Sequence, residues 1–274
     1  MVRAALLVGV PFSLVGLTAC SEQAARFGLP VAATEQAPVM GDVWVGAWIA
    51  SLIIGLLVWG LIGWAVIRYR RRDGDAPAPR QTTYHLPLEL LYTLVPFLII
   101  GVLFFYTVRA SDAMLRTSDD PDVTISVIGQ KWSWTFNYLE ADNPDIGTDA
   151  FTVGTLETIP DLYLPVDQTV RFNLQSADVI HSFWVPSFYF KMDVIPGHTN
   201  SFEVTPNRLG IYDGKCAELC GEYHSLMLFK LHVVTQEEYA AHVLELAANG
   251  NAGERELQEA LQAVLPTEAP EENQ

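Results

Sequence analysis

Two uninterrupted apolar stretches constrain this chain more than any other feature of its sequence. The first covers residues 43–67 and contains no charged residue, and the second covers residues 87–108 and contains a single acid, Glu89. About 20 consecutive apolar residues in a helix are enough to cross the hydrocarbon core of a bilayer. The sequence therefore predicts transmembrane helices at 42–68 and 87–108.

The loop between the two predicted spans, residues 69–86, is rich in arginine. Arg70, Arg71, Arg72 and Arg80 lie within it, and Arg68 directly precedes it. Short loops with this bias stay on the cytoplasmic side of the membrane. Both ends of the mature chain are then expected on the extracytoplasmic side of a bacterial plasma membrane.

The N-terminus has the pattern of a secretory signal, with one early arginine, a short apolar run and then small residues. We expect a signal peptide at 1–19 and an extracytoplasmic segment at 20–41. The sequence LTAC, which ends at Cys20, resembles the lipobox of bacterial lipoproteins and implies cleavage before Cys20 and acylation of its thiol. The alternative is an ordinary cleavage site beside an incidental cysteine.

The part of the chain that follows Arg109 is strongly acidic. It contains 26 acidic and 8 basic residues, and the whole chain has a formal net charge of −16. Such a charge repels nucleic acid and speeds the arrival of a cationic partner, although it also serves simple solubility. With three cysteines the chain is not a disulfide-rich scaffold, but a single bridge between Cys216 and Cys220 is allowed.

The outer part of the chain also reads as predominantly β-structure. Short segments rich in β-branched and aromatic residues are separated by turn sequences, which favours a sandwich or a barrel. The predicted strands are 123–128, 131–138, 169–174, 182–190, 199–204 and 226–234. Thr235 and Glu238 form a capping-box pattern that starts a C-terminal helix, and residues 266–274 are too polar to fold.

The sequence CAELCGEYHSLM, residues 216–227, brings together the side chains of Cys216, Cys220, His224 and Met227. Structural zinc requires four strong ligands, and thioether is a poor one. An iron–sulfur cluster uses four thiolates, and this loop has two. Copper accepts thiolate, imidazole and a weak axial methionine. Two thiolates shared by two coppers would use both cysteines and would need a second imidazole.

The second imidazole has several candidates among the six histidines of the chain. His181 follows an apolar pair and lies among aromatic residues that can shield a metal, so it is a better candidate than His198, although sequence alone does not decide between them. His232 is expected to be a strand histidine with a satisfied side chain. The remaining two, His85 and His242, lie at the second span and on the C-terminal helix.

Four motifs together resemble subunit II of cytochrome c oxidase. They are GQKWSWTFNY, DVIHSFWVPSF, KMDVIPG and YDGKCAELCGEYHSLM. The resemblance covers both spans and the β-domain. It implies a two-helix transmembrane hairpin followed by an all-β, cupredoxin-like Greek-key barrel at 120–234, with a C-terminal helix and an acidic tail at 235–274.

The resemblance also implies a binuclear copper centre. In the family pattern the two cysteines bridge the two metals, and each histidine binds one metal. Methionine is the weak ligand of one metal, and a backbone carbonyl is the weak ligand of the other. The matching positions in this chain are Cys216, Cys220, His181, His224, Met227 and the carbonyl of Glu218.

Further residues match family positions outside the copper ligands. Trp132 matches the tryptophan through which electrons enter, and Glu89 matches the acid at the cytoplasmic mouth of a proton pathway. The Glu218 side chain matches a ligand of a magnesium or manganese ion shared with subunit I. Asp178 matches an acid at the docking face, or is a solvated turn residue. For Trp132 and Glu89 the alternatives are an ordinary sheet tryptophan and a carboxylate at headgroup level.

The implied function is electron entry into a proton-pumping terminal oxidase that reduces oxygen to water. Subunits I and III are the implied partners, and haem is carried only by the partner subunit. The donor is cytochrome c or a membrane-bound cytochrome, the latter in a supercomplex with the quinol-oxidising complex. The lipobox and the overall pattern resemble bacterial oxidases, including actinobacterial ones. The segment at 140–154 looks longer and more acidic than its counterpart in mitochondrial members of that family, which is a departure from the resemblance.

Three other functions are compatible with parts of this pattern. A quinol-oxidase subunit would keep the fold but lack the copper ligands. A lipid-anchored module that delivers copper would need neither two spans nor Glu89. An adhesion domain would use Cys216 and Cys220 as a structural disulfide, and the nearby histidines and methionine would be coincidental.

Overall fold

The computed structural model describes residues 22–74 and 81–264. The signal peptide, Cys20, Arg80 and the polar tail lie outside the described residues. Five helices are present in the described ranges. They are α1 (Glu22–Ala25), α2 (Ala37–Arg68), α3 (Leu86–Met114), α4 (Gln236–Leu246) and α5 (Leu257–Val264).

Helices α2 and α3 lie side by side and contain the two apolar stretches. By length and composition both are able to cross a membrane, and the most apolar part of each is not buried by the rest of the protein. A helix that is apolar on all sides and uncovered needs lipid or another protein around it. At the start of α3, the carboxylate of Glu89 accepts a hydrogen bond from the backbone N–H of His85, at 3.0 Å.

The outer domain consists of ten strands. They are β1 (Val123–Gln130), β2 (Ser133–Tyr138), β3 (Ala150–Val153), β4 (Asp161–Pro165), β5 (Val170–Ser176), β6 (His181–Val185), β7 (Phe190–Val194), β8 (Asn200–Val204), β9 (Gly210–Cys216) and β10 (Leu228–Val234). One sheet has the order β3-β2-β1-β5-β8, and the other has the order β4-β10-β9-β6-β7. The β1–β5 and β4–β10 pairs are parallel, and the other pairs are antiparallel.

The two sheets pack face to face on a core of aromatic side chains. Phe172 and Phe202 come from the first sheet, and Phe183 and Phe229 come from the second. The ring centroids of Phe172 and Phe183 are 5.3 Å apart, and those of Phe183 and Phe229 are 4.9 Å apart. The predicted fold class, a helical hairpin with a cupredoxin-like β-domain and a C-terminal helix, is confirmed.

Several predicted element boundaries were wrong. The segment 182–190 is not one strand, because Pro186–Phe188 forms a 3-10 turn that separates β6 from β7. Four strands, β3, β4, β7 and β9, were not predicted. The C-terminal region forms two helices, because Gly250 adopts a φ of 91° that interrupts the first. The predicted capping box of Thr235 and Glu238 is present at the start of α4.

The segment before α2 is attached to the β-domain. Ala33 is fully buried; its N–H donates to the carbonyl of Ser187 at 3.0 Å, and its own carbonyl accepts from the N–H of Asn207 at 3.0 Å. The hydroxyl of Tyr189 donates to the carbonyl of Pro30. These contacts attach the part of the β-domain around Ser187 and Asn207 to the segment that leads into α2.

Candidate metal centre

Neighbouring strands deliver the candidate ligands to one end of the β-domain. His181 is the first residue of β6 and Cys216 is the last residue of β9, and these strands pair through Phe183 and Cys216. The loop after β9 then carries Cys220, a 3-10 turn starts at His224, and Met227 lies directly before β10. Because the ligands belong to strand ends and the short loop between them, the sheet fixes their positions.

Each cysteine sulfur lies beside its own imidazole. Cys216 Sγ is 3.9 Å from His181 Nδ1, and Cys220 Sγ is 3.4 Å from His224 Nδ1. Cys220 Sγ also lies 3.7 Å from the sulfur of Met227. Cys216 Sγ lies 3.2 Å from the carbonyl oxygen of Glu218. The donors therefore form two sets, each with one thiol sulfur and one imidazole nitrogen.

Both thiols are free and buried. The donor atoms of His181, Cys216 and Cys220 all lie within 4.8 Å of one another, and they form the cluster of potential metal ligands within the described part of the chain. His224 lies beside Cys220 on the outer side of this cluster and is half-buried. His224 falls outside the group of three donors that lie within 4.8 Å of one another.

Backbone hydrogen bonds hold the ligand loop. The N–H of Cys216 donates to the carbonyl of Met227 at 2.9 Å, and the N–H of Ala217 donates to the carbonyl of Ser182 at 2.9 Å. The N–H of Met227 donates to the carbonyl of His224 at 3.3 Å. The loop is thus closed at its two ends and attached to β6, which carries His181.

Asp178 orients the ring of His181. Its Oδ1 lies 2.8 Å from His181 Nε2, and its Oδ2 accepts a hydrogen bond from the N–H of Lys131 at 2.7 Å. When Nε2 carries the proton of the ring, Nδ1 is unprotonated and can bind a metal. Nδ1 is the nitrogen that faces Cys216. Metal-binding histidines usually have such a carboxylate partner. The sequence predicts Asp178 to be a docking acid or a solvated turn residue, and its contact with His181 was not predicted.

The charges of this network reinforce one another. Burial alone would raise the pKa of the Asp178 carboxyl, but hydrogen bonds from His181 and from backbone N–H groups hold it below its usual value. Burial alone would lower the pKa of His181, but the hydrogen bonds to Asp178 and Cys216 raise it. Each partner thus favours the hydrogen-bonded form of the other, which strengthens the contact between Asp178 and His181 Nε2 that orients the ring.

The two thiols differ in acidity. Burial favours the neutral form of Cys216, but the hydrogen bond with His181 and the contacts with the backbone of Glu218 and Ser182 together outweigh burial and lower the pKa of Cys216. Burial, followed by the negative charge of Cys216, raises the pKa of Cys220 to about 12. The pKa values of the two thiols move in opposite directions because two adjacent negative sulfurs repel each other.

Trp132 lies at the edge of the cluster. Its ring makes an edge-to-face contact with Tyr223, with ring centroids 4.9 Å apart. Gly221 has a φ of 129°, and a Cβ atom there would lie 3.0 Å from Trp132 Nε1. A side chain at position 221 would therefore disturb both the loop and the indole. Trp134 is fully buried beneath the site, and its Nε1 donates to the carbonyl of Met227 at 3.5 Å.

Other predicted residues lie apart from the cluster. The Glu218 side chain is exposed. His232 Nε2 lies 2.7 Å from Asp161, so His232 has the satisfied strand environment that the sequence favoured. Of the two histidines weighed as the second imidazole, the structure brings His181 to the cysteines, while His198 is not among the clustered ligands of the described residues.

Comparisons with known proteins agree with this geometry. Residues 123–234 match the family model described as cytochrome c oxidase subunit II, periplasmic domain. A probable cytochrome c oxidase subunit 2 of Streptomyces avermitilis is 48% identical over 259 residues, which cover 83% of this chain and 81% of that protein. The chain belongs to the cytochrome c oxidase subunit II family.

Two more matches complete the comparison. The cytochrome c oxidase subunit 2 of Mycobacterium tuberculosis is 36% identical, over 84% of this chain and 77% of that protein. A crystal structure of the periplasmic domain of subunit II of cytochrome oxidase from Bradyrhizobium japonicum has a TM-score of 0.42 and 27% identity, over 48% of this chain and 99% of that one. Membership of this family makes the chain a subunit of an oxidoreductase complex, and its two apolar helices with a periplasmic-type domain fit a membrane protein with an extracytoplasmic domain.

Proposed function

We propose that this chain is the electron-entry subunit of a proton-pumping cytochrome c oxidase, in which a binuclear copper centre receives electrons from cytochrome c and passes them to haem in subunit I. The observation that carries the proposal is the arrangement of two sulfur–imidazole pairs in one buried cluster. It is supported by membership of the subunit II family.

The donor set fits copper. Thiolate, imidazole and thioether are the ligands that copper accepts, and methionine is the one that zinc avoids. The Cys216–His181 and Cys220–His224 pairs each provide one sulfur and one nitrogen, as two metals sharing both sulfurs would require. Met227 and the Glu218 carbonyl each lie next to one of the sulfurs, where they provide the weaker ligands.

When bound, the copper pair supplies one-electron redox chemistry with the charge shared over two metals. The protein's part is to keep the donors from moving. Cys216 and Met227 are buried and joined through the backbone, and His181 is fixed by Asp178. A donor set that cannot rearrange between oxidation states favours rapid electron transfer, since little reorganisation accompanies each step.

Trp132 is proposed as the entry point for electrons. It lies at the rim of the cluster in contact with Tyr223, which is itself exposed, and with the glycine of the ligand loop. An aromatic side chain between the surface and Cys220 provides a short route for an electron. The donor is cytochrome c or a membrane-bound cytochrome, with a supercomplex as the arrangement for the latter.

Two further sites belong to the same proposal. The exposed carboxylate of Glu218 is available to a magnesium or manganese ion completed by subunit I. Glu89 lies in the first turn of α3, where an ionisable group at a membrane span is a candidate for a proton path. Its hydrogen bond to His85 also gives it a structural role at the helix start.

The membrane arrangement is proposed with the cytoplasmic loop at 69–86 and both termini outside, after removal of residues 1–19 and acylation of Cys20. Intact-mass measurement of the mature chain tests this directly. We expect a chain that begins at Cys20 and carries lipid, and a Cys20→Ser variant without the lipid mass. An unmodified Cys20 would contradict the lipoprotein part of the proposal.

The copper assignment is tested by Cys216→Ser in the assembled oxidase. We expect it to abolish oxidation of cytochrome c, while oxygen reduction with an artificial reductant that bypasses this subunit continues. Ser225→Ala, at an exposed position of the same loop, is the control and should keep normal activity. Wild-type oxidation of cytochrome c by Cys216→Ser would refute the assignment.

A further inference from the structure

The ends of α2 and α3 nearest the β-domain enclose a cleft that the metal centre does not explain. The cleft has a volume of about 480 Å³, and most of its wall is apolar. Val43, Gly46 and Ala47 line it from α2, and Leu103 and Tyr106 line it from α3. All five residues belong to the two apolar stretches of the sequence. The cleft therefore lies at the depth where a bilayer places its acyl chains.

The cleft exists because α2 presents small residues at this level. Gly46 has no side chain, and a Cβ atom added to it would meet nothing within 4 Å. Ala47 contributes only one methyl group. Open space beside apolar side chains forfeits their dispersion contacts. An apolar chain that fills the cleft restores those contacts.

Two opposite charges stand at the mouth of the cleft. Asp42 directly precedes the apolar stretch of α2, and Arg109 directly follows that of α3. Both side chains line the cleft and are exposed. At a rise of about 1.5 Å per residue, Gly46 lies about 6 Å deeper than Asp42, and Leu103 lies about 9 Å deeper than Arg109. The mouth of the cleft is thus at headgroup level, and its floor is among acyl chains.

Neither charge is neutralised by a side chain of the described residues. Asp42 and Arg109 line the same cleft, yet within the ranges that the structure describes they form no ion pair with each other or with a third residue. The Arg109 guanidinium lies over the ring of Phe105, 5.7 Å from its centroid and one helical turn back toward the apolar stretch. At such a boundary, a guanidinium is stabilised by an anion and a carboxylate by a cation.

We propose that this cleft binds a phospholipid whose headgroup carries an amine, as phosphatidylethanolamine does. Its phosphate binds Arg109, its ammonium group binds Asp42, and one acyl chain lies along the apolar walls. The remainder of the lipid stays in the bilayer. The inference goes beyond the proposed function and does not depend on the copper centre.

Each part of this lipid matches one feature of the cleft. Arginine binds phosphate through a planar pair of N–H donors, and a primary ammonium group donates charge-assisted hydrogen bonds to a carboxylate. A phospholipid without an amine pairs with Arg109 but places its negative phosphate beside an unpaired Asp42. The two opposite charges therefore select a zwitterionic headgroup, and the apolar floor selects a lipid over a soluble phosphate ester.

The test uses the purified full chain in detergent, equilibrated with an equimolar mixture of phosphatidylethanolamine and phosphatidylglycerol that carry the same acyl chains. Native mass spectrometry counts each lipid per chain, and the thiolate-to-copper absorption is recorded on the same samples. We expect the wild-type chain to retain one phosphatidylethanolamine, with a preference of about tenfold over phosphatidylglycerol, as one charge-assisted contact provides.

Two substitutions separate the headgroup contacts. Arg109→Gln removes the phosphate contact and should lower the retention of both lipids by about tenfold. Asp42→Asn should abolish the preference between the lipids without lowering the retention of phosphatidylglycerol. The matched controls are Arg116→Gln and Asp112→Asn, which remove exposed charges near the end of α3 that do not line the cleft. Both controls should behave as wild type.

A third substitution tests the apolar part of the cleft. Gly46→Leu places a side chain in the open space and should exclude the acyl chain. Gly55→Leu is its control, because position 55 of the same helix is equally open but does not line the cleft. Only Gly46→Leu should lose the bound lipid, while the copper absorption of both variants stays at the wild-type value.

The charge variants and the cavity variant are independent, so either set decides if a member of the other fails to fold. Equal retention of the two lipids by the wild-type chain would overturn the amine assignment, and equal lipid retention by Gly46→Leu and Gly55→Leu would overturn the cleft as the site. If Gly46→Leu impairs assembly with the other oxidase subunits and leaves lipid retention unchanged, the cleft holds a helix of a partner, which also overturns the inference. Normal lipid selectivity without copper absorption would refute the proposed function and support the lipid site.

Discussion

The hydrogen bond between Asp178 and His181 provides the sharpest test of how the site is built. The change Asp178→Asn keeps the shape of the side chain and removes its charge. Asp178 Oδ1 accepts hydrogen bonds from His181 Nε2 and, at 2.6 Å, from the N–H of Val179. Its Oδ2 accepts a hydrogen bond from the N–H of Lys131 at 2.7 Å. Asparagine has one acceptor oxygen, so its NH2 group must face one of these donors.

The magnitude follows from these contacts. A buried N–H that loses its acceptor costs about 1–3 kcal/mol of folding free energy. Loss of a carboxylate that orients a metal-binding histidine lowers metal affinity by about 10- to 100-fold. We therefore expect Asp178→Asn to fold, to be less stable by about 1–3 kcal/mol, and to bind copper at least about tenfold more weakly.

The assay is competition for copper between the full chain in detergent and a chelator of known affinity, followed through the thiolate-to-copper absorption. Asp142→Asn is the control, because it removes the same charge at an exposed position. A copper affinity for Asp178→Asn within about twofold of the Asp142→Asn value would refute the role of Asp178, since the expected loss is at least about tenfold.

Three further predictions concern the surroundings of the site. Gly221→Ala forces a residue with a Cβ into a φ of 129° and against the Trp132 indole. This variant should slow electron entry more than it lowers copper content. Equal fractional losses of electron-entry rate and copper content would contradict this prediction. Burial outweighs the hydrogen bonds from Tyr239 and Asn143 and raises the pKa of Glu140. The stability that protonated Glu140 contributes is therefore present below the ordinary glutamate pKa of about 4.3 and is lost as pH rises through the raised pKa. The thermal midpoint of the wild-type chain should fall over this pH range and that of Glu140→Gln should not, and parallel pH profiles of the two would refute the prediction. Thr235→Ala removes the capping box of α4 and should lower the unfolding free energy by about 0.5–2 kcal/mol, measured by denaturant titration; no change would show that the cap does not stabilise the helix.

The apolar stretches and the ligand motif were the most predictable parts of the molecule. Length and hydropathy are local properties, so the helices could be located without knowledge of their packing. The Cys216-to-Met227 spacing is equally local, because one loop and the strand ends beside it carry most of the ligands. Only His181 had to come from elsewhere, and the pairing of β6 with β9 brings it to the cysteines.

The strands that escaped prediction depend on tertiary contacts. In β9, Gly214 interrupts the β-forming pattern, yet a Cβ at that position would lie 2.1 Å from the ring of Phe229, so the packing of the sheet requires glycine there. β4 ends in a proline and pairs in parallel with β10, a partner far away in sequence. Neither constraint is visible in the local pattern.

Asp178 escaped prediction for a related reason. An acid between two strands is most often solvated, and its contact with His181 depends on how the turn folds back onto the site. Its position three residues before the histidine was the only signal in the sequence.

The clustered side chains of Cys216, Cys220, His181 and His224 are proposed to hold a shared-electron copper pair. The most direct test is the copper content of the purified full chain, together with its visible and paramagnetic resonance spectra in the oxidised state. We predict two coppers per chain, intense thiolate-to-copper absorption, and hyperfine splitting from two equivalent copper nuclei. A single zinc ion, or no metal with Cys216 and Cys220 joined in a disulfide under copper-replete conditions, would contradict the account.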